Sequence, residues 1–388
     1  MHSSYTHKNS NVRVPRENLA MSDLKPNMND SVNSYQALPI EPAGVTSEWC
    51  STILGRPIRN VTFLDAIHGT ASKLLLEVTE DTAGGVPKAW RLCVKGGFDP
   101  KFIAMFPDLN AFYRREVDFY RHVAPLVDMR LPQTYYCGSD TVSGQGIVAM
   151  EDLSDRGCTF GDPTKAWPVE RVRAGVEQLA ALHAKTWNAT AERFPWLSSD
   201  GPLGSSPIRN MLRAVFAPAS WDARFAEGAR PPVPDYMTDR ERMTAAFERL
   251  WMRPDTKFSC VVHGDAHIGN TFITAAGEPG FIDWQGLHTC SAFHDVAYFV
   301  IGALDIEDRR QHEESIVSHY LATLSSRGGP ELQWAEIWDG YRKHVLHGFV
   351  WSLSDPQMQP KEYVYAMTKR YVAAIEDHKS LELVESMA

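Results

Sequence analysis

The segment Val261–Gln285, VVHGDAHIGNTFITAAGEPGFIDWQ, constrains this chain more than any other. An apolar run ending in Val261 and Val262 leads into a loop carrying His263, Asp265, His267 and Asn270. Thr271–Thr274 reads as a short strand, Ala275–Gly280 has turn composition, and Phe281–Ile282 delivers Asp283 at a second strand end. A hairpin of this kind holds two strand ends side by side, so Asp265, Asn270 and Asp283 are expected to converge. Two carboxylates and an amide at one point form a hard-oxygen site suited to Mg²⁺ shared with phosphate oxygens. One carboxylate is then left to accept a proton. Any one Asp alone reads better as solvated or capping. The joint spacing H-x-D-x-x-x-x-N, followed by a strand ending in Asp-aromatic, is far more specific.

That spacing matches the catalytic-loop and metal-Asp arrangement of kinases. HGDAHIGN together with FIDWQ resembles the aminoglycoside phosphotransferase and choline-kinase-like family, small-molecule relatives of the protein kinases. Gly264 stands where protein kinases have Arg, and Trp284 and Gln285 replace the Phe and Gly after the metal-binding Asp. A metallophosphoesterase would need a G-N-H-[DE] element, whereas Gly269–Asn270 is followed by Thr271. The resemblance implies an α+β, two-lobed protein-kinase-like fold. Residues 41–150 would form a small lobe with a five-stranded antiparallel sheet and one helix. Residues 151–388 would form a helical lobe with the catalytic loop, the metal Asp and the acceptor pocket. It also implies transfer of the γ-phosphate of ATP, with GTP left open, to a hydroxyl of a small molecule. Asp265 would be the base, Asn270 and Asp283 would hold Mg²⁺, and His263 would brace the loop. His267 has two readings: it faces the γ-phosphate, or it only stabilises the turn.

Upstream, Val61–His68 and Lys73–Glu80 read as strands joined by His68-Gly69-Thr70-Ala71-Ser72. Small residues in such a turn let backbone N–H groups approach phosphates, which makes Gly69, Thr70 and Ser72 nucleotide-contact candidates by position. Ala89–Lys95 is a third strand, with Trp90, Leu92 and Val94 on one face and Arg91, Cys93 and Lys95 on the other. Leu109–Val123 has a helical stripe through Leu109, Phe112, Glu116, Phe119/Tyr120 and Val123. Glu116 falls inside that stripe, where a lone carboxylate is costly unless paired. An inward Lys95 would satisfy it. The resemblance gives Lys95 the α/β-phosphates and places Cys93 beneath the adenine. Leu131–Gly138 and Gly146–Met150 are strands four and five. Met150-Glu151-Asp152-Leu153 is similar to the family's inter-lobe hinge, which makes Met150, Glu151 and Leu153 adenine-edge candidates; a plain strand-to-helix loop is the competing reading.

Pro168–Trp187 is amphipathic, and His183 on its apolar face reads as a hydrogen-bonded core residue. The proline-rich stretch Asn188–Pro254 holds two expected helices, near Ile208–Phe216 and Tyr236–Met252. Asp295 precedes an apolar run and reads as an N-cap. Ile306–Leu324, Leu332–Leu353 and Lys361–Ile375 are expected helices. His344, His347 and Trp351 share a face that either lines the acceptor pocket or packs in the core. Residues 1–40, rich in Ser, Asn, His and charge, are expected to form a mobile tail.

Lys plus Arg is 39 against 48 Asp plus Glu, a net charge of −9 with no basic run, so nucleic acid is not an expected partner. The six cysteines form no C-x-x-C pair, which suits reduced thiols in a cytoplasmic protein. No apolar run reaches membrane length, so no membrane partner is expected. An inactive kinase-like nucleotide-binding or scaffold protein is the alternative; against it, every catalytic position of the pattern is filled. A choline-type acceptor would need an aromatic cage, for which Trp284, Trp351 and Tyr298 are available.

Overall fold

Strand alternation and turn chemistry place five strands in one antiparallel sheet: β1 (Ile58–Ile67), β2 (Ser72–Glu80), β3 (Lys88–Gly96), β4 (Thr134–Ser139) and β5 (Gly146–Glu151), in the order β1-β2-β3-β5-β4. The computed structural model describes residues 37–82, 84–105, 110–190, 192–194, 197, 213–226, 228–252, 256–354 and 359–387. Leu92 and Val94 of β3 pack with Leu74, Leu76 and Val78 of β2 and Ile147 and Ala149 of β5 on one face of the sheet. Lys95 points to the other face, paired in register with Lys73 on β2 and Val148 on β5.

The helices of this lobe depart from expectation. α1 (Ser47–Leu54), α2 (Pro100–Met105) and α3 (Asn110–Asp118) stand where one helix was expected. α1 has its own start and stop signals. The Thr46 side chain accepts from the Trp49 N–H, and Gly55 closes the helix in the left-handed region at φ 63°. Its Trp49 and Cys50 cover the sheet core. The tail expectation for residues 1–40 falls largely outside the described residues, but at its end it is corrected. Leu38 packs on the same core, and the Pro39 carbonyl accepts from buried Gln145 Nε2 at 2.7 Å.

The helix expected over 109–123 does not continue as an α-helix, and Leu109 lies outside the described residues. Beyond α3 the chain makes a π-turn over Phe119–Val123 and a 3-10 turn over Ala124–Leu126. One extra residue in the turn lets Phe119, Tyr120 and Val123 all stay buried. π-turns of this kind recur beside functional sites. Here the turn aims Phe119 flat onto Trp284, with ring centroids 3.6 Å apart and 5° between planes.

The rest of the chain is mainly helical. In order it holds β6 (Thr159–Phe160), α4 (Val169–Thr186), α5 (Pro218–Phe225), α6 (Arg240–Met252), β7 (Ser259–Val262), β8 (Thr271–Ile273), β9 (Pro279–Phe281) and β10 (His288–Ser291). α7 (Ala292–Ala303), α8 (Ile306–Ser326), α9 (Trp334–Val345), α10 (Lys361–His378) and α11 (Ser380–Ser386) follow. β6, β8 and β9 form one small sheet, and β7 pairs with β10. Part of the helix expected near 208–216 lies outside the described residues. α5 lies in the proline-rich stretch and was not among its two expected helices; Pro218 opens it, where the missing N–H costs nothing. The helix expected over 332–353 stops at Val345 and tightens into a 3-10 segment, Leu346–Leu353.

A buried polar network ties α8, α9 and α10. Glu313 accepts from the Tyr341 hydroxyl at 2.7 Å, Arg309 Nη1 at 3.0 Å and His378 Nε2 at 2.9 Å. Truncation to Ala orphans several of these groups at once, and breaking a buried pair costs about 3 kcal/mol or more. Glu313→Ala is therefore expected to lower the urea midpoint by an amount equivalent to about 3 kcal/mol at unchanged slope. A loss under about 1 kcal/mol would show that the network contributes little.

Candidate active site

β7 carries the chain to Val262 and pairs with β10, so the loop that follows leaves from a fixed edge. Gly264 then takes φ 81°. A Cβ there would meet the Gly286 carbonyl, and His288 Nδ1 at 2.8 Å, so the position excludes the Arg of protein kinases on geometric grounds. Gly264→Ala is expected to destabilise the loop and lower any activity it supports by at least about tenfold, since the strain falls beside Asp265. Wild-type-like melting and turnover of that variant would contradict this.

The loop is held from three sides. Asp295 accepts from the His263 N–H at 2.6 Å and the Gly264 N–H at 3.0 Å, and lies 3.3 Å from His183 Nε2. Asp295 is thus not the helix N-cap: Ser291 caps α7, accepting from the Phe293 N–H at 3.4 Å. Burial pushes the Asp295 carboxyl up, and His183, His263 and His294 more than reverse it, leaving it well below the ordinary carboxylate range. His183 also meets the Tyr320 hydroxyl at 2.8 Å, the hydrogen-bonded core role expected of it. His263 donates from Nε2 to the Ile282 carbonyl at 3.0 Å, clamping the loop to the strand end before Asp283. Its Nδ1 then accepts from the Asp265 N–H at 3.3 Å. Burial holds that imidazole neutral by lowering its pKa.

The β8–β9 hairpin brings the polar residues together. Asn270 Nδ2 donates to both the carbonyl and Oδ2 of Asp265, each at 2.9 Å. His267 Nδ1 accepts from the Gly269 N–H at 3.0 Å, which leaves Nε2–H on the side of Asp265 Oδ2, 3.6 Å away. The Asp265 side chain is about half exposed. Burial pushes its carboxyl up, and His267 and His263 more than offset this, so it lies below the ordinary value.

Asp283 sits at the end of the returning strand in the left-handed region, φ 68°, ψ 63°. A non-glycine residue there is strained, a condition found preferentially at functional positions. Its Oδ1 lies 2.8 Å from Lys95 Nζ, and Oδ2 lies 3.8 Å from Lys73 Nζ. Lys95 Nζ in turn lies 2.6 Å from Glu116, both side chains being almost fully buried. Burial works against the Lys95 charge, and Asp283 with Glu116 reverses that and raises its pKa.

A cavity of about 800 Å³ lies against Asp283 and Lys73, while Lys95 and Glu116 stand behind Asp283 and do not line it. The turn holding Gly69, Thr70 and Ser72 lines it, as do Asp265, His267, Asn270 and Asp283. Tyr113 fixes the turn by donating to the Thr70 carbonyl at 2.7 Å. Met150, Glu151 and Leu153 do not line this cavity. Met150 and Leu153 are buried, and Glu151 is committed to the Gln133 N–H at 2.9 Å and Arg156 at 2.9 Å. Trp284, Trp351 and Tyr298 do not converge on a cage either. Trp284 is fully buried against Phe119, while Tyr298 lines the cavity and Trp351 packs on His267.

The donor set suits Mg²⁺. With its NH₂ group committed to Asp265, Asn270 keeps its amide oxygen as a hard ligand beside the Asp283 carboxylate. Among the described residues no group of three or more His, Cys, Asp or Glu is arranged to hold a metal ion. A cation here would thus share few protein ligands with phosphate oxygens, as Mg²⁺ does. Lys73 is the site residue the sequence reading missed. It becomes visible only once the β2–β3 register sets it opposite Lys95.

A sheet lysine ion-paired with both a helix glutamate and a strand-end aspartate, beside a loop aspartate, is the arrangement of a kinase-like fold. The chain belongs to the ecdysteroid kinase-like family, which matches residues 77–327. A Caenorhabditis elegans protein named "Uncharacterized oxidoreductase dhs-27" is 22% identical over 335 residues, covering 75% of this chain and 39% of that protein. The chain therefore spans about two fifths of that relative's length. Among solved structures, a choline kinase from Streptococcus pneumoniae is 16% identical, with a TM-score of 0.45 over 85% of this chain and 97% of that one. A spectinomycin phosphotransferase in complex with ADP and spectinomycin is 11% identical, with a TM-score of 0.48 over 88% and 96%. No helix among the described residues is long and apolar enough to cross a membrane.

Proposed function

We propose that this protein transfers the γ-phosphate of a nucleoside triphosphate, ATP in the first instance, to a hydroxyl of a small molecule. The observation that carries the reading is the convergence of Asp265, Asn270 and Asp283 with the 67–73 turn on one cavity. In this reading Asp265 orients the acceptor hydroxyl and takes its proton on a carboxylate oxygen. Asn270 holds that carboxylate by one oxygen, which limits its rotation. Lys95, fixed by Glu116, and Lys73 supply positive charge to the nucleotide phosphates. Asn270 and Asp283 would hold Mg²⁺, which neutralises phosphate charge when bound. His263 clamps the loop, and His267 braces its turn with one nitrogen while presenting the other to Asp265. Catalysis then consists of positioning and electrostatic stabilisation in a preorganised site.

The test is ADP release with ATP and Mg²⁺ across amino alcohols, sugars and steroid alcohols, with GTP in parallel. Acceptor-dependent release with a phosphorylated product supports the reading. Nucleotide binding without release on any hydroxyl compound would favour the inactive, nucleotide-binding alternative.

A further inference from the structure

Asp283 has two carboxylate oxygens, and each faces an ammonium group. Oδ1 lies 2.8 Å from Lys95 Nζ, and Oδ2 lies 3.8 Å from Lys73 Nζ. The two lysines are not equivalent. Lys95 is held between two carboxylates, with Glu116 at 2.6 Å, and its side chain is 5% exposed. Burial and the second ion pair fix it in place. Lys73 is 34% exposed and lines the cavity together with Gly69, Thr70 and Ser72 of the preceding turn. Its root is fixed. It pairs in register with Lys95, and the turn before it is tied by His68 Nδ1 to Ser72 Oγ at 3.1 Å and by Tyr113 to the Thr70 carbonyl at 2.7 Å. Beyond that root runs a flexible four-carbon stem ending in a compact charge. Lys73 is therefore the member of this set that can move, and the cavity between Asp283 and the turn is where it can move to.

The charges balance with Lys73 in place. Two ammonium groups, Lys73 and Lys95, face two carboxylates, Asp283 and Glu116. Burial pushes the Asp283 carboxyl up, and Lys95 and then Lys73 more than reverse it, so the group is an anion at neutral pH. With Oδ1 committed to Lys95, Oδ2 is the oxygen left for a metal, and it is the one that Lys73 approaches. A divalent cation on Oδ2 beside an unmoved Lys73 would bring like charges together in a partly desolvated site, where they repel far more than in water. Nucleotide phosphates remove that conflict. They offer Lys73 another anion, and they offer the metal the phosphate oxygens that Mg²⁺ takes in preference to an all-protein cage.

We propose that Lys73 is a cation gate on Asp283: its ammonium group guards the metal-facing oxygen until nucleotide phosphates draw it across the cavity, so that metal binding waits on nucleotide. This rests on the phosphotransfer reading and adds an order of assembly to it. The coupling is reciprocal, since the factor by which nucleotide tightens metal is the factor by which metal tightens nucleotide. The gate reserves Asp283 for metal that arrives with phosphate.

The test is Mn²⁺ binding to the full chain, followed by the electron paramagnetic resonance signal of free Mn²⁺, with and without a non-hydrolysable ATP analogue. Mn²⁺ stands in for Mg²⁺ because both suit oxygen ligands. Wild-type protein is expected to bind Mn²⁺ at least about tenfold more tightly with the analogue than without it. Lys73→Gln is expected to bind Mn²⁺ without the analogue about fivefold more tightly than wild type, and the metal-free analogue about threefold less tightly. Lys73→Arg keeps the charge and should keep the wild-type pattern. The double variant Lys73→Gln, Asp283→Asn should lose the gain in Mn²⁺ affinity, which separates a gate on Asp283 from a general loss of positive charge. Equal Mn²⁺ affinity of nucleotide-free wild type and Lys73→Gln, with the analogue still tightening Mn²⁺, overturns the gate and leaves the phosphotransfer reading standing. A gain that survives in the double variant places the metal elsewhere and also overturns the gate. An analogue that neither binds wild type nor changes its Mn²⁺ affinity rejects the phosphotransfer reading, and the gate with it.

Discussion

Asp265→Asn is expected to lower acceptor-dependent turnover by about 10²- to 10⁴-fold while leaving nucleotide-dependent stabilisation in place. The substitution keeps the side-chain shape and the contact with Asn270, 2.9 Å away, but removes the oxygen that would take the proton. Lys95 and Lys73 face Asp283 rather than Asp265, so the nucleotide half should survive. The pH dependence has a defined sign. The carboxyl is depressed by His267 and His263, so it stays ionised from neutral pH down to below the ordinary aspartate value of about 3.9. Any stability it adds is present above that value and is lost only as pH falls through the lower, folded-state value. kcat/KM should accordingly show no acid limb from Asp265 above the ordinary aspartate range. Steady-state kinetics over pH checks both points. Full activity of Asp265→Asn against the true acceptor would falsify its assignment as the base.

Asp283→Asn is expected to remove the Mg²⁺-dependent part of nucleotide binding. Asparagine is chosen because it tolerates the left-handed backbone at this position, where alanine would add strain of its own. The change removes the negative charge facing Lys95 at 2.8 Å and Lys73 at 3.8 Å. Lys95 keeps Glu116 at 2.6 Å, so the sheet–helix pair should persist and the fold with it. Calorimetric titration of ATP with and without Mg²⁺ separates the outcomes. Wild-type protein should bind more tightly with the metal, and the variant should bind equally with and without it. A variant that retains the metal-dependent gain would remove Asp283 from the ligand set.

The loop after β7 and the β8–β9 hairpin were legible because their residues are close in sequence and bounded by turn-forming glycines and a proline. The Lys95–Glu116 contact was legible for a different reason. A carboxylate inside an apolar stripe demands a partner, and strand alternation aimed Lys95 inward. Lys73 was not legible, since its place depends on pairing register, and neither were His288 and His294; His347 was read only as lining the acceptor pocket or packing in the core, and it lines the cavity. His288, His294 and His347 come from a strand, a helix and a 3-10 segment, and only the β7–β10 pairing and the tightening after Val345 bring them onto one cavity. Asp295 was misjudged because one residue type serves two ends. It sits in the first turn of α7 like a cap, yet its oxygens are turned back onto the His263 and Gly264 amides. The π-turn at Phe119–Val123 left no local mark, because apolar spacing there satisfies either winding.

The most direct measurement is the melting temperature of the purified protein with ATP alone, Mg²⁺ alone and both together, beside Asp283→Asn. A ligand at a hundred times its dissociation constant adds about 2.7 kcal/mol, readily seen as a shift. The phosphotransfer account predicts a shift that needs both ATP and Mg²⁺ and disappears in the variant. No shift in any condition, or the same shift in wild type and variant, would contradict it.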